Sequence, residues 1–265
     1  MSAIHITTIQ SNLYWEDKEA NLQQFEKKIK EIPTPRAIVV LPEMFSTGFS
    51  MNAEKLAEKM DGETVAWMKR VAMEQRVILV GSVIVEEEGA YFNRLIWMLP
   101  NGVSSYYDKR HLFGYAGEDR YYTSGEKRLI CSVNGWRINL QICYDLRFPV
   151  WARQQTSMAE EAEYDVLIYV ANWPERRSHA WKTLLCARAI ENQCYVVGVN
   201  RVGKDANGVY HSGDSMVIHP LGEVLYHMAH EEEAFTITLQ KQELTEIRKQ
   251  LPFLKDADQF RIVSV

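Results

Sequence analysis

The chain has 265 residues, enough for one large domain or two small ones, and its 46% hydrophobic content suits a sizeable buried core. Thirty-five acidic residues against thirty basic ones give a net charge of −5, and no run of Lys and Arg exceeds two residues. This balance excludes the basic footprint of nucleic-acid or anionic-membrane binding and favours a small-molecule substrate.

Residues 4–10 alternate apolar and polar side chains as a half-buried strand does. Residues 17–32 then carry Leu22, Phe25, Ile29 and Ile32 at helical spacing, and Pro33 and Pro35 end that helix. The short apolar run 37–41 reads as a buried strand that delivers Pro42 and Glu43 at its carboxyl end. A helix over 63–75 leads into a strand over 77–85, completing the β-α-β-α-β order of an α/β layered fold. Pro100-Asn101-Gly102 and Asn134-Gly135 are hairpin turns, joining 91–99 to 103–107 and 129–133 to 136–142, so the sheets are mixed. After Pro149 a helical stretch runs toward Glu163, followed by a strand (165–171), a helix (178–192) and a strand (195–200). A last hairpin turns at Pro220-Leu221-Gly222, and Tyr226 to Glu233 reads as a solvated turn. With no linker, repeat or low-complexity segment, one domain over 1–265 is expected. The first ten residues lack a basic region followed by an unbroken apolar stretch, and no run of about 18 apolar residues occurs, so a cytoplasmic protein without a membrane span is expected.

Cys131, Cys143, Cys186 and Cys194 show no Cys-x-x-Cys spacing, which argues against a zinc ribbon or a redox pair. His227 and His230 alone do not make a metal site. Three residues stand just past strands: Glu43 in Leu-Pro-Glu-Met-Phe, Lys109 in Asp-Lys-Arg-His-Leu-Phe and Cys143 in Ile-Cys-Tyr-Asp-Leu-Arg-Phe-Pro. A thiol of ordinary pKa about 8.5 is mostly protonated at neutral pH, so a catalytic cysteine needs a partner that takes its proton or stabilises its thiolate. A carboxylate and an ammonium supply both. Cys143 follows the strand and precedes Arg147-Phe148-Pro149, which opens a helix, and at such a strand-to-helix turn backbone amides, that of Tyr144 first, face a developing oxyanion. Taken alone, Cys143 also reads as a small buried hydrophobe.

These three blocks, in this order and spacing, resemble the signature blocks of the nitrilase superfamily of carbon–nitrogen hydrolases. Further segments, among them Ala116-Gly117-Glu118, Val170-Ala171-Asn172-Trp173-Pro174 and 198–203, resemble its bacterial omega-amidase branch. The resemblance implies a four-layer α-β-β-α sandwich with two mixed sheets, a homodimer formed through one helical face, and no cofactor. It implies that Glu43 is the general base, Cys143 the nucleophile and Lys109 the cation for the tetrahedral intermediate, with Glu118 positioning the reacting groups. The implied reaction is hydrolysis of the terminal amide of a small dicarboxylic acid monoamide, such as 2-oxoglutaramate or 2-oxosuccinamate, through a thioester. Nitrile hydrolysis and N-carbamoyl amino acid hydrolysis use the same three residues and stand as alternatives, with a non-catalytic thiol sensor a distant third.

An anionic amide needs a cation in its pocket, preferably an arginine. Arg147, Arg176 and Arg177 are the candidates. Two roles are open to Arg147, substrate binding or a brace on Asp145, and Arg176 and Arg177 also read as plain surface charges. Phe45, Phe113, Tyr115, Trp173 and Trp181 are candidates for the pocket wall or for the core.

Overall fold

In the computed structural model, which describes residues 3–33, 37–155 and 162–263, the opening alternation forms strand β1 (Ala3–Gln10). Asp17 then caps helix α1 (Lys18–Lys30), its carboxylate accepting the Ala20 amide at 3.0 Å. Such a cap satisfies one of the amides that a helix start leaves without a partner. Strand β2 (Ile38–Val40), a single turn α2 (Ala53–Leu56) and helix α3 (Glu63–Gln75) follow, then the meander β3 (Ile78–Glu87), β4 (Ala90–Met98) and β5 (Ser104–Asp108). The second half runs β6 (Leu129–Val133), β7 (Trp136–Ile142), α4 (Pro149–Ala152), β8 (Val166–Ala171), α5 (Ser178–Asn192), β9 (Tyr195–Asn200), β10 (Val202–Lys204), β11 (Tyr210–Ile218), β12 (Val224–Ala229), β13 (Glu233–Gln240) and α6 (Lys241–Gln250).

One sheet has the order β13-β1-β2-β3-β4-β5, and the other β10-β11-β9-β8-β7-β6 with β12 paired to β11. Both are mixed: β1, β2 and β3 are parallel, as are β7, β8 and β9, while the hairpins at their edges are antiparallel. Alternation along each strand sets the layers. Ile38 and Val40 of β2 join Ile138, Leu140, Ile168 and Val170 of the other sheet in one core between the sheets. Val39 faces the opposite way, onto Phe25 of α1 and Met68 and Val71 of α3. Leu167 and Tyr169 of β8 likewise face Trp181 and Leu185 of α5. The result is the expected α-β-β-α sandwich. Burying an aliphatic side chain is worth roughly 1.5–3 kcal/mol, so a strand covered on both faces gains at every residue. That is why β2 and β8 read as unbroken apolar runs.

Two expectations are corrected. Helix α4 stops at Ala152 instead of running toward Glu163, because Arg153 turns extended (φ −60°, ψ 127°) and Gln154 docks on the end of α5. There the Asn192 side chain accepts the Gln154 amide at 2.9 Å. Residues 156–161 of the expected helix, and Pro35, lie outside the described residues. The stretch 226–229 belongs to strand β12, not to a solvated turn, since the Tyr226 ring stacks on Phe235 at 4.0 Å and its hydroxyl donates to Glu233.

Because β5 is antiparallel to β4 and β4 to β3, β5 runs in the same direction as β2. Glu43 and Lys109 therefore emerge at the same edge of their sheet. Cys143 and Asn172 emerge at the corresponding carboxyl edge of β7 and β8 in the other sheet, the position where α/β folds build crevices.

Candidate active site

Glu43 is fully buried in a tight turn after β2. The turn is pinned from β3, where Ser82 accepts the Met44 amide through its hydroxyl and the Phe45 amide through its carbonyl. Gly81 permits this approach, since a Cβ there would lie 2.7 Å from the Phe45 ring. The Glu43 carboxylate is held on both sides. Oε1 accepts from Lys109 Nζ at 2.8 Å and Asn93 Nδ2 at 2.9 Å, and Oε2 accepts the Asn172 backbone amide at 2.8 Å.

Lys109 follows β5 and is also sealed from solvent. Its ammonium donates to Glu43 and to both oxygens of Glu118, at 3.0 and 2.9 Å, beneath the Phe49 ring. Glu118 opens a 3-10 turn after Gly117 and accepts the Phe113 amide at 2.6 Å. Burial opposes the lysine charge, but the two carboxylates outweigh it and raise the Lys109 pKa. Burial and the neighbouring Glu43 charge raise the Glu118 carboxyl against the pull of Lys109. One ammonium thus serves two carboxylates.

Cys143 ends β7 with φ +43°, the left-handed region that costs a cysteine about 1–3 kcal/mol and persists only where its surroundings enforce it. Such a kink at a strand end turns the side chain out of the sheet. The expected helix at Arg147-Phe148-Pro149 is preceded at once by a 3-10 turn over Cys143–Arg147, and α4 starts at Pro149. Burial and the Glu43 charge push the thiol up, while Lys109 and the Asn172 amide pull it the other way. The net direction is upward, so the resting sulfur keeps its proton. By contrast, Cys131 is raised to about 12 by burial alone and lies in the core.

Glu43 and Cys143 open onto one cavity of about 360 Å³, within the range of small-ligand sites. Lys109 and Glu118 lie one layer behind it. Phe113, Tyr144 and Trp173 form its aromatic wall, joined by the exposed Tyr115, and Arg147, Arg176 and Arg177 also line it. The Arg147 guanidinium lies 4.8 Å over Trp173 and that of Arg177 lies 5.1 Å over Phe113. Asp145 does not take Arg147 as a partner, because its oxygens are filled by His111, Tyr107 and Ile142, so the brace is excluded. Among the described residues none of the three arginines forms an ion pair with a carboxylate. Two aromatic candidates fall away: Phe45 packs on Phe25 and Trp67, and Trp181 lies beneath Trp173 with its indole N–H on the Asp214 carbonyl.

Sequence reasoning missed Asn93, Asn172 and the wall built by Asp205 and Asn207 between β10 and β11 and by His211 at the start of β11. Asn93 carries a signal, being a poor strand former at the centre of a strand, and there it donates to both Glu43 and Glu118.

The carbon–nitrogen hydrolase family profile matches residues 5–249. The chain belongs to this family. This carbon–nitrogen hydrolase is 43% identical to the omega-amidase YafV of Escherichia coli K12, over 99% of this chain and 100% of that protein. It is 32% identical to a 2-oxoglutaramate amidase of Bacillus subtilis 168, over 95% of this chain and 96% of that one. The structure of XC1258 from Xanthomonas campestris, a CN-hydrolase superfamily protein with an arsenic adduct in its active site, superposes with a TM-score of 0.97 at 41% identity, covering 99% of this chain and 100% of that chain.

Proposed function

We propose that this carbon–nitrogen hydrolase is an omega-amidase, removing the terminal amide of a small dicarboxylic acid monoamide such as 2-oxoglutaramate or 2-oxosuccinamate. The observation that carries this reading is one cavity with a buried carboxylate and a strained cysteine at its floor and three arginines on its wall. Similarity to an omega-amidase and to a 2-oxoglutaramate amidase supports it.

In the first half-reaction Cys143 gives its proton to Glu43 as the sulfur bonds to the amide carbon. The developing oxyanion is received by the Tyr144 amide, one of the leading amides that a 3-10 turn leaves without an internal partner, with the Lys109 ammonium adding its charge from behind Glu43. Glu43 returns the proton to the leaving nitrogen, the carbon–nitrogen bond breaks and ammonia departs. Water then adds to the thioester, giving one proton to Glu43, and the carbon–sulfur bond breaks as sulfur recovers that proton. Glu118 holds Lys109 in place throughout. Arg147, backed by Arg176 and Arg177, holds the substrate carboxylate against the Phe113 and Trp173 rings. The thiol, carboxylate and ammonium account for every proton, so the reaction calls on no metal or cofactor. We place the enzyme in the cytoplasm as a single domain over 1–265 that pairs into a homodimer through one helical face; among the described residues no helix is long and apolar enough to cross a membrane.

The test is kcat/KM for ammonia release from 2-oxoglutaramate, with succinamate, a short aliphatic nitrile and an N-carbamoyl amino acid in parallel. Preference for the oxo-acid amide is expected. Preference for the nitrile or the carbamoyl compound keeps the three residues and overturns the substrate.

A further inference from the structure

Asp145 stands two residues past Cys143, is fully buried and does not line the cavity. Its carboxylate nevertheless accepts four hydrogen bonds. Oδ1 takes the His111 amide at 2.9 Å and His111 Nδ1 at 2.8 Å, a bond that places the imidazole proton on Nδ1. Oδ2 takes the Tyr107 hydroxyl at 2.7 Å and the Ile142 amide at 3.0 Å. The first three donors belong to the segment that carries Lys109, and the fourth is the residue immediately before Cys143.

The network has little slack. The Tyr107 oxygen accepts from Trp151 Nε1 at 2.9 Å and from the Arg110 amide at 3.1 Å, which commits its own proton to Asp145. The His111 ring is stacked flat on Phe148 at 3.8 Å, so its direction is fixed as well. Lys109 is thus anchored two residues to either side on one carboxylate, at 107 and at 111. The same carboxylate closes the turn that keeps Cys143 at a left-handed φ.

We propose that Asp145 is a positioning residue for this reaction: one buried carboxylate that ties the Lys109 segment of one sheet to the Cys143 turn of the other and sets the spacing between cation and nucleophile. It touches neither substrate nor reacting atom. The proposal rests on the reading above in which Lys109 and Cys143 act on the same carbonyl. A displacement of about 1 Å between reacting groups costs on the order of 100-fold in rate. Changing the one carboxylate on which hydrogen bonds from both elements converge allows a drift of that size.

The test compares Asp145→Asn and Tyr107→Phe with the parent enzyme. Asn keeps one acceptor oxygen but turns an amide NH₂ toward two of the four donors. Asp145→Asn is expected to lower kcat about 100-fold with KM changed by no more than about threefold, in protein whose circular dichroism matches the parent. Alkylation of Cys143 by iodoacetamide, followed on its peptide by mass spectrometry, is expected to slow about tenfold as Lys109 moves away from the sulfur. Tyr107→Phe removes one donor of four and is expected to fall between parent and Asp145→Asn in both readouts. Folded variants with parental kcat and parental alkylation rate overturn the proposal. If Asp145→Asn does not fold, Tyr107→Phe decides alone, and parental values in it are the overturning result. Alkylation needs no amide, so Asp145-dependent alkylation in a protein inert toward 2-oxoglutaramate supports this proposal while rejecting the omega-amidase reading.

Discussion

At and just behind the floor of the cavity Glu43, Lys109 and Glu118 are buried, both carboxylates held by the Lys109 ammonium at 2.8–3.0 Å. At the rim Arg176 and Tyr115 are exposed, and Arg147 and Arg177 lie over aromatic faces. The floor has its charges committed to each other at fixed distances, which suits proton transfer and oxyanion binding. The rim keeps its charges uncommitted and its contacts soft, which suits selection among substrates. Changes at the floor should therefore act on kcat and on folding, and changes at the rim on KM.

The largest effect is expected at Glu43. Glu43→Gln keeps the shape but removes the proton acceptor, and kcat should fall by about 10²–10⁴-fold in folded protein; near-normal turnover rejects the assignment. Lys109→Met leaves two buried carboxylates without their cation, a loss of about 3–5 kcal/mol in urea unfolding on top of lost activity. A stability change below about 1 kcal/mol would place the ion cluster in water rather than in the core.

A smaller effect belongs to His211, buried on the cavity wall, where burial and Arg201 lower its pKa from 6.5 to about 4. As pH falls the unfolded chain takes up this proton first, so the stability it contributes is intact above pH 6.5 and is lost on the way down to about 4. His211→Asn should shrink the fall in unfolding free energy between pH 7 and pH 4.5 by about 2–3 kcal/mol. An unchanged fall places His211 in solvent. The smallest effect is expected from Arg147→Lys, which keeps the charge but loses the bidentate grip and the flat face on Trp173. It should raise KM for anionic amides several-fold more than for neutral ones, by about 1 kcal/mol of discrimination. Equal effects on both substrates would return Arg147 to a structural role.

Much of the frame was legible because each sheet strand announces its own burial. The helix at 63–75, the β6–β7 hairpin, α5 and β9 fall at their expected bounds, since double-sided burial and hairpin turns are local signals. Glu43, Lys109 and Cys143 were legible as strand-end residues, and the structure gathers them with Glu118 beneath one cavity. What the sequence could not show is long-range. Asn172 reaches Glu43 across 129 residues, and Asp145 reaches Tyr107 across 38, by pairings no periodicity encodes. The left-handed φ at Cys143 was equally hidden, because no glycine marks it. The sequence leaves Arg147 between two roles, because only the fold sets the partners of Asp145. Phe45 and Trp181 stay open between wall and core in the sequence, because an aromatic residue looks the same in both.

The most direct test of the account is ammonia release from 2-oxoglutaramate by folded Cys143→Ala beside the parent enzyme. The expected result is release by the parent and none above the uncatalysed background by the variant, since the acyl chain then has no sulfur to bond to. Release by the variant at a rate comparable to the parent would contradict attack by the thiol.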